Sequence, residues 1–552
     1  MADPEAAADL VLTGGSVLTM DAARRTAEAV AVRAGRIVAI GASAEVERWR
    51  GTQTRRIDLA GRTLLPGFQD AHVHPAMAGI NLTRCPLHDL TPEPAVYLET
   101  IRAYAQANPD PAWVIGDGWY MSAFPGGTPT RQALDAVVPD RPSFFVNRDG
   151  HGAWVNSRAL ALAGIDRDSS DPVSGRIERE PGGDPSGTLH EGAMEIVRRI
   201  LPPATIEDLA HGLELAQAYL QRLGITAWQD AWVTAEDLAA YRLIAERGRL
   251  TGRAIACHWW ERDLGGEQIE DLIERRRIGQ VGRLRSSTVK IMQDGVAENY
   301  TAAMLEPYLD RGGRSTGNRG ISFVDPELLK GYVTRLDAAG FQVHFHALGD
   351  RAVREALDAI GAARRVNGPS DGRHHIAHLQ VVDPAEYARF RQLDVTANIQ
   401  PYWACNDPQM LELTLPFLPA ERGALQYPFR SLQAAGARLA GGSDWTVSTP
   451  NVLAEIEVAV NRISPETRAA EPLLPAEALD LDTALAAFTR GSAWVNHLDQ
   501  ETGSIEAGKL ADLVVLDRDI SRMDPRRLGD ARVLLTLIEG LAVHEDPGLE
   551  RP

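Results

Sequence analysis

Lysine and cysteine are the scarce residues of this chain. Among 57 basic side chains in 552 residues, only three are lysines: Lys290, Lys330 and Lys509. With so strong a bias toward arginine, a surviving lysine marks a position that a guanidinium cannot serve, because arginine stays protonated and offers no free amine. The three cysteines, Cys85, Cys257 and Cys405, are odd in number and far apart, which excludes a disulfide framework and a paired-cysteine metal site. A reducing, cytoplasmic compartment is the expectation. Positive charge is short as well. A net charge of −18 and a pI near 5.3 exclude a general affinity for phosphate backbones, so no nucleic-acid partner is expected. No apolar run reaches the ~18 residues that a membrane helix needs. The acidic opening Met-Ala-Asp-Pro-Glu has no apolar core, so neither a membrane partner nor a secretory leader is expected.

What is present is the composition of a globular enzyme in several units. Residues 1–65 alternate short apolar runs with Gly turns, as in Leu10-Val11-Leu12-Thr13-Gly14-Gly15 and Arg36-Ile37-Val38-Ala39-Ile40-Gly41. Residues 500–546 repeat the pattern, with Asp512-Leu513-Val514-Val515-Leu516-Asp517 and the run 533–538. Two β-rich ends around a long middle predict one small β-sandwich domain built from both termini. In the middle, short β-like runs alternate with amphipathic helical stretches. The strands predicted are 64–74, 225–232, 253–260, 287–292, 341–346, 374–379, 395–400 and 438–442. Eight alternating units predict an α/β fold, a (β/α)8 TIM-like barrel over residues 66–80 and 201–499. The first two strands start at Leu64 and Ile225, too far apart for an unstructured loop, so residues 81–200 are expected to form an inserted subdomain near the active site.

The strongest local signal is Pro66-Gly67-Phe68-Gln69-Asp70-Ala71-His72-Val73-His74. Residues two apart on a strand face one side, so His72 and His74 offer a pair of imidazole ligands. His346 ends Val343-His344-Phe345-His346; His344 has the same parity, and spacing does not choose between them. His378 ends the sixth predicted strand, Asp444 follows the eighth, and Lys290 sits among apolar residues on the fourth. Each lies near the C-terminal end of a predicted barrel strand, where barrel active sites form. Imidazoles and a carboxylate gathered out of water call for a cation, and a divalent metal supplies it. Lys290 reads either as a buried ammonium paired with a carboxylate such as Asp294, or as an amine that adds CO2. The resulting carbamate is an anion with two oxygens, able to bridge two metal ions.

These motifs resemble the amidohydrolase superfamily: His-x-His after Pro-Gly-Phe, the strand lysine, His346 before Ala-x-Gly-Asp, His378, Gly-Ser-Asp444, and the terminal segment Gly503 to Asp517. Three further stretches are similar to its YtcJ-like branch, which includes N-substituted formamide deformylases: Val-Lys290-Ile-Met-Gln-Asp-Gly295, Asp149-Gly-His151-Gly-Ala-Trp-Val-Asn156 and Gly116-Asp-Gly-Trp119. The resemblance implies that His72, His74 and Asp444 hold one metal, that His346 and His378 hold another, and that a carboxylated Lys290 bridges them. His344 then supports the ligands, while His151 and Asn156 lie near the substrate. Members of the branch often carry a histidine two residues after a Gln-Pro pair on the seventh strand. Here Gln400-Pro401 leads instead to Trp403, so a substrate preference does not transfer.

The expected chemistry is hydrolysis of a C–N bond, in an amide or N-substituted formamide, by metal-activated water. Asp444 would move the proton and His151 would contact the substrate or its oxyanion. Trp228, Trp259, Trp260, Trp403 and Trp445 fall at the predicted rim, with Trp119 in the insertion, and together they favour a small-molecule substrate with an apolar or aromatic group. Zinc is the default ion for these ligands, one or two per chain. A deaminase or an esterase or lactonase on the same barrel is the nearest alternative, and a non-catalytic metal-binding protein a more distant one; a homodimer is left open. Two other motifs are set aside. Gly503 to Lys509 imitates a phosphate loop but runs on into Leu510, with no Ser or Thr and no helix. His190-Glu191 opens like a zincin helix but lacks the second histidine.

Overall fold

The structure is a computed structural model, and it describes residues 7–88, 90–172 and 174–550. Its centre is a sheet of eight parallel strands: β1 (Phe68–Val73), β2 (Ile225–Val233), β3 (Arg253–Trp259), β4 (Leu284–Met292), β5 (Gln342–Ala347), β6 (His375–His378), β7 (Thr396–Ile399) and β8 (Arg438–Gly441). Neighbours in sequence are neighbours in the sheet. The two edges come together above the strands. Asp444 N donates to His72 O (2.7 Å), His74 N donates to Trp445 O (2.8 Å), and the Asp70 carboxylate accepts from Ser443 N (3.1 Å). A parallel sheet of eight strands whose edges meet is a TIM-like α/β barrel.

The helices of its wall begin where short polar side chains satisfy free N–H groups. Thr205 and Asp208 form a reciprocal capping box before the helix Ile206–Arg222, and Thr234 and Asp237 do the same before Ala235–Glu246. The helix Asp350–Asn367 turns Ala352, Val353, Ala356, Leu357 and Ile360 inward at helical spacing. Low in the barrel the interior is plugged by amides. Gln342 Oε1 accepts from Gln229 Nε2 (2.9 Å) and Thr288 Oγ1 (2.8 Å), while Gln342 Nε2 donates to Val495 O (2.9 Å). That end is closed, and the reactive side chains collect at the other.

The run 64–74, expected as one strand, is divided at Gly67. Thr63–Pro66 joins a six-stranded sheet with Ser16–Leu18 and Leu513–Leu516, whereas Phe68–Val73 is β1. Gly67 N donates to Asp512 O (2.8 Å), and a Cβ there would run into Thr226, so the chain changes sheets at a residue without a side chain. A four-stranded sheet that includes Ala8–Thr13 and Arg50–Asp58 lies against the six-stranded one, and Leu12, Val32, Leu64, Val515 and Leu537 are buried in a shared cluster. Strands from Cys85–Pro86 to Pro185–Glu191 make a further six-stranded sheet, packed around Trp119, Phe145 and Trp154. Among the described residues no helix is long and apolar enough to cross a membrane.

Candidate metal centre

Strand parity delivers His72 to the barrel interior at the end of β1, and His74 stands just beyond it. Asp444 stands opposite, just past β8. Its Oδ1 lies 3.2 Å from His72 Nε2 and 3.0 Å from His74 Nε2, and the donor atoms of all three lie within 4.8 Å of one another. Lys290, pointing inward from β4, brings Nζ to 3.4 Å from His72 Nε2. His378, ending β6, places Nδ1 3.9 Å from Asp444 Oδ2, and its ring lies 4.7 Å from that of His72. The His346 ring, from β5, lies 4.5 Å from that of His378.

Burial, and after it the neighbouring Lys290 charge, holds His72 well below the usual imidazole range. Burial leads in the same direction at His346 and His378. Burial thus favours the neutral forms of these three rings, which present lone pairs rather than positive charge to the cluster. Both ring nitrogens of His378, and Nδ1 of His74, are buried with no hydrogen-bond partner among the described residues. Orphaned buried nitrogens beside a carboxylate are what a coordination site leaves when its ion is taken away. The donor set of imidazoles and one carboxylate fits a divalent metal.

The surroundings orient these groups. His344 does not face the cluster's centre; its Nε2 lies 2.8 Å from His72 Nδ1, and His72 turns Nε2 toward Asp444 and Lys290. Asp70 accepts from the backbone N of His72 (3.0 Å) and of Ser443, tying the ends of β1 and β8 together. Lys290 is not paired with Asp294. Asp294 accepts from the backbone N of Ala303, Leu348 and Gly349 and lies 3.2 Å from His346 Nδ1, so it serves the β5 loop and its histidine. Among the described residues Lys290 has no ion pair, and burial pushes its amine down to about 8, against the charge of Asp444.

His151 reaches the same region from the 85–191 sheet. Its ring is 6.2 Å from that of His346, and its Nδ1 lies 3.1 Å from both oxygens of Glu191. Burial opposes protonation of His151, but the charge and hydrogen bond of Glu191, with Asp149 and Glu298 behind them, push it up to about 9. Glu191 is the residue that sequence reasoning missed. It belongs to the dismissed His190-Glu191 pair, and it lies forty residues from His151 at a turn with φ 51°.

Of the expected substrate contacts, two line a cavity of about 90 Å3 beside the centre: Trp403 and Trp119. The Trp403 ring stacks on His378, while Trp119 Nε1 donates to Phe145 O (2.9 Å). Besides His151, already described, the remaining three are placed elsewhere. Trp228 has the opposite parity to the inward Gln229, faces the helix layer and donates to Tyr241 Oη (3.2 Å). Trp445 packs on Tyr219, with 5.0 Å between ring centroids. Asn156 caps the helix Ser157–Ala163. Its Oδ1 accepts from Ser143 N and Ala159 N and its Nδ2 donates to Val138 O and Arg141 O, which leaves nothing for a ligand.

A sequence profile described as the amidohydrolase family matches residues 55–544. Protein LONG AFTER FAR-RED 3 of Arabidopsis thaliana is 31% identical over 525 residues, covering 92% of this chain and 87% of that protein. N-substituted formamide deformylase of Arthrobacter pascens is 29% identical over 562 residues, covering 98% and 99%. Among solved structures, an uncharacterized metal-dependent hydrolase from Pyrococcus furiosus superposes with a TM-score of 0.71 at 25% identity, covering 94% of this chain and 99% of that one.

Proposed function

Since the chain belongs to the amidohydrolase family and is a metal-dependent hydrolase, we propose that it cleaves the C–N bond of an amide or N-substituted formamide whose organic group is apolar or aromatic. One observation carries the reading: His72, His74, Lys290, His378 and Asp444 converge from four different strand ends on one buried point, with nitrogens left over. In this reading His72, His74 and Asp444 hold one ion, zinc by default, and His346 and His378 hold a second. Lys290, buried with no ion pair among the described residues, would carry a CO2-derived carbamate and supply a further anionic ligand. The bound metal supplies activation of water and polarisation of the scissile carbonyl.

The protein's own groups do the rest. Asp444, in contact with two imidazoles, accepts the proton of the attacking water and returns it to the departing nitrogen. His151 is held protonated by Glu191 at Nδ1, which leaves Nε2 as the donor for a developing oxyanion. Trp403, stacked on His378, walls the substrate's organic group. The 85–191 sheet acts as an inserted subdomain that covers the barrel mouth, and the terminal sheets act as a separate β-sandwich domain. A cytoplasmic location follows from the reduced, scattered cysteines.

The test is a substrate panel on metal-loaded protein, with matched formamides, esters and aminated heterocycles, assayed for formate, free amine and ammonia. Formate and amine in equal amounts, abolished by Asp444→Asn, are the expected result. An active Asp444→Asn enzyme sinks the assignment. Ester turnover far above amide turnover, or ammonia from the heterocycles, replaces the C–N reading with a lactonase or a deaminase.

A further inference from the structure

The cavity beside the metal centre is walled by loops that follow β4 to β8 and by the 85–191 sheet, so it opens on the same face as the ligands. Its walls combine aromatic rings with acids. Tyr402 and Trp403 come from the β7 loop, and Glu298, Asp407 and Asp149 from three separate loops. The acids are held in place by neutral donors. Glu298 Oε1 accepts from Thr414 Oγ1 (2.9 Å), Asp407 Oδ1 from Met410 N (2.7 Å) and Asp149 Oδ1 from His151 N (2.9 Å). Among the described residues none of the three is ion-paired with a lysine or arginine. The one basic side chain in the lining, Arg148, is occupied: its Nε donates to Val447 O (2.9 Å), one terminal nitrogen donates to His88 O (2.7 Å), and its guanidinium lies over the Tyr120 ring.

An independent feature points to a donor-bearing ligand. Gln380, two residues past His378 and 1% exposed, lines the cavity, and its Oε1 is buried with no hydrogen-bond partner among the described residues. A buried acceptor without a donor is costly unless a ligand supplies one. Aromatic faces favour a cation by cation–π attraction, and carboxylates with no lysine or arginine ion pair among the described residues favour it by charge.

We propose that this cavity is a specificity pocket for a protonated amine, an N–H-bearing ammonium carried by the organic group of the substrate. The assignment rests on the C–N hydrolase reading for the reaction, and on the cavity itself for the charge. The volume of about 90 Å3 suits a compact ammonium head group, with the apolar body of the substrate against Trp403 and the scissile bond toward His378 and Asp444. Burial pushes the carboxyl of Glu298 up and that of Asp407 up to about 6, and a cation between them would draw both back to their ionised forms. The absent histidine at position 403 fits this role, since an indole face accepts an ammonium that an imidazolium would repel.

The experiment is isothermal calorimetry on metal-loaded protein with three non-hydrolysable probes of one size: propylammonium, 1-propanol and acetate. The expected order is propylammonium first and acetate last, with the ammonium bound roughly tenfold or more tightly than the neutral alcohol. Glu298→Gln with Asp407→Asn should erase that tenfold preference while leaving 1-propanol binding within about twofold. 1-Propanol equal to propylammonium, or acetate the tightest, overturns the proposal on the wild-type protein alone, whether or not the double variant folds. Tetramethylammonium binding as well as propylammonium removes the role of Gln380 and overturns the N–H-bearing class. Ammonium binding without hydrolysis of any amide leaves the pocket standing and removes the C–N reading. Hydrolysis of neutral and ammonium-bearing amides at equal rates does the reverse.

Discussion

The indole of Trp403 lies parallel to the imidazole of His378, with 8° between the planes and 5.2 Å between ring centroids. Among the described residues His378 has no hydrogen bond through either ring nitrogen, so this stacked face and the neighbouring histidine rings are what fix its orientation. Trp403 therefore joins the metal centre to the specificity pocket. Trp403→Ala should lower metal affinity and kcat/KM by roughly 10–100-fold, the usual range for losing a group that orients a ligand. Trp403→Phe, which keeps a flat face, should recover most of both. Chelator competition and steady-state kinetics measure the two effects; unchanged metal affinity in the alanine variant would remove Trp403 from the centre.

His344 carries a separate prediction. Its Nε2 lies 2.8 Å from His72 Nδ1, and its Nδ1 lies 3.7 Å from Cys257 Sγ. In the tautomer that a metal ligand needs, His72 Nδ1 donates to His344 Nε2 and His72 Nε2 is bare. His344→Phe preserves the shape of the buried ring and deletes the contact, so metal affinity should fall by roughly 10–100-fold while the fold is kept. His344→Gln, which offers an acceptor again, should regain part of it. Equal affinity in all three proteins would show that His72 needs no partner.

Much of this was legible because the relevant signals are periodic and local. The eight barrel strands stand where apolar runs end in turn residues, and His72 and His74 announce themselves by sharing a parity. Lys290 was marked by the scarcity of lysine in the whole chain. Other features depend on contacts that no local pattern carries. Trp228 and Gln229 are adjacent in sequence, and only the closed sheet decides which of them faces the interior. Asn156 looks like a polar residue near a site until the carbonyls of Val138 and Arg141 arrive from another loop. Glu191 meets His151 only because its backbone turns at positive φ after Pro185–Glu191. The division of 64–74 at Gly67 was hidden inside a continuous apolar run, since the sequence does not say which sheet each half joins.

The His151–Glu191 pair makes the molecule sensitive to alkaline pH. His151 in the folded state is pushed up to about 9, above the ~6.5 of an unfolded chain. The folded state therefore holds the proton more tightly, so the stabilisation is complete below pH ~6.5 and is lost as pH rises through about 9. Glu191→Gln removes the main charge that holds the proton, and burial then drives the His151 pKa down. Urea unfolding between pH 6 and 9.5 should show wild type more stable than Glu191→Gln at the acid end, with the gap narrowing toward the alkaline end. A gap that does not change with pH would mean that Glu191 does not hold His151 in its protonated form.

Metal removal should expose how much of the barrel mouth depends on the ion. His74 and His378 bury three ring nitrogens without partners among the described residues, an unfavourable arrangement that coordination relieves. A ligand that binds only the folded state stabilises it by about 4 kcal/mol when present at a thousandfold over its Kd. Chelation should then lower the melting temperature by several degrees, and zinc at that excess should restore it. Asp444→Asn tests whether the same cluster is responsible. Asn keeps the size and one oxygen but loses the charge, so the zinc-dependent rise should shrink strongly while the melting temperature of the chelated protein stays close to wild type. A full zinc-dependent rise in Asp444→Asn would place the ion at a cluster that does not need this carboxylate, and His346 with His378 would become the first pair to examine by substitution.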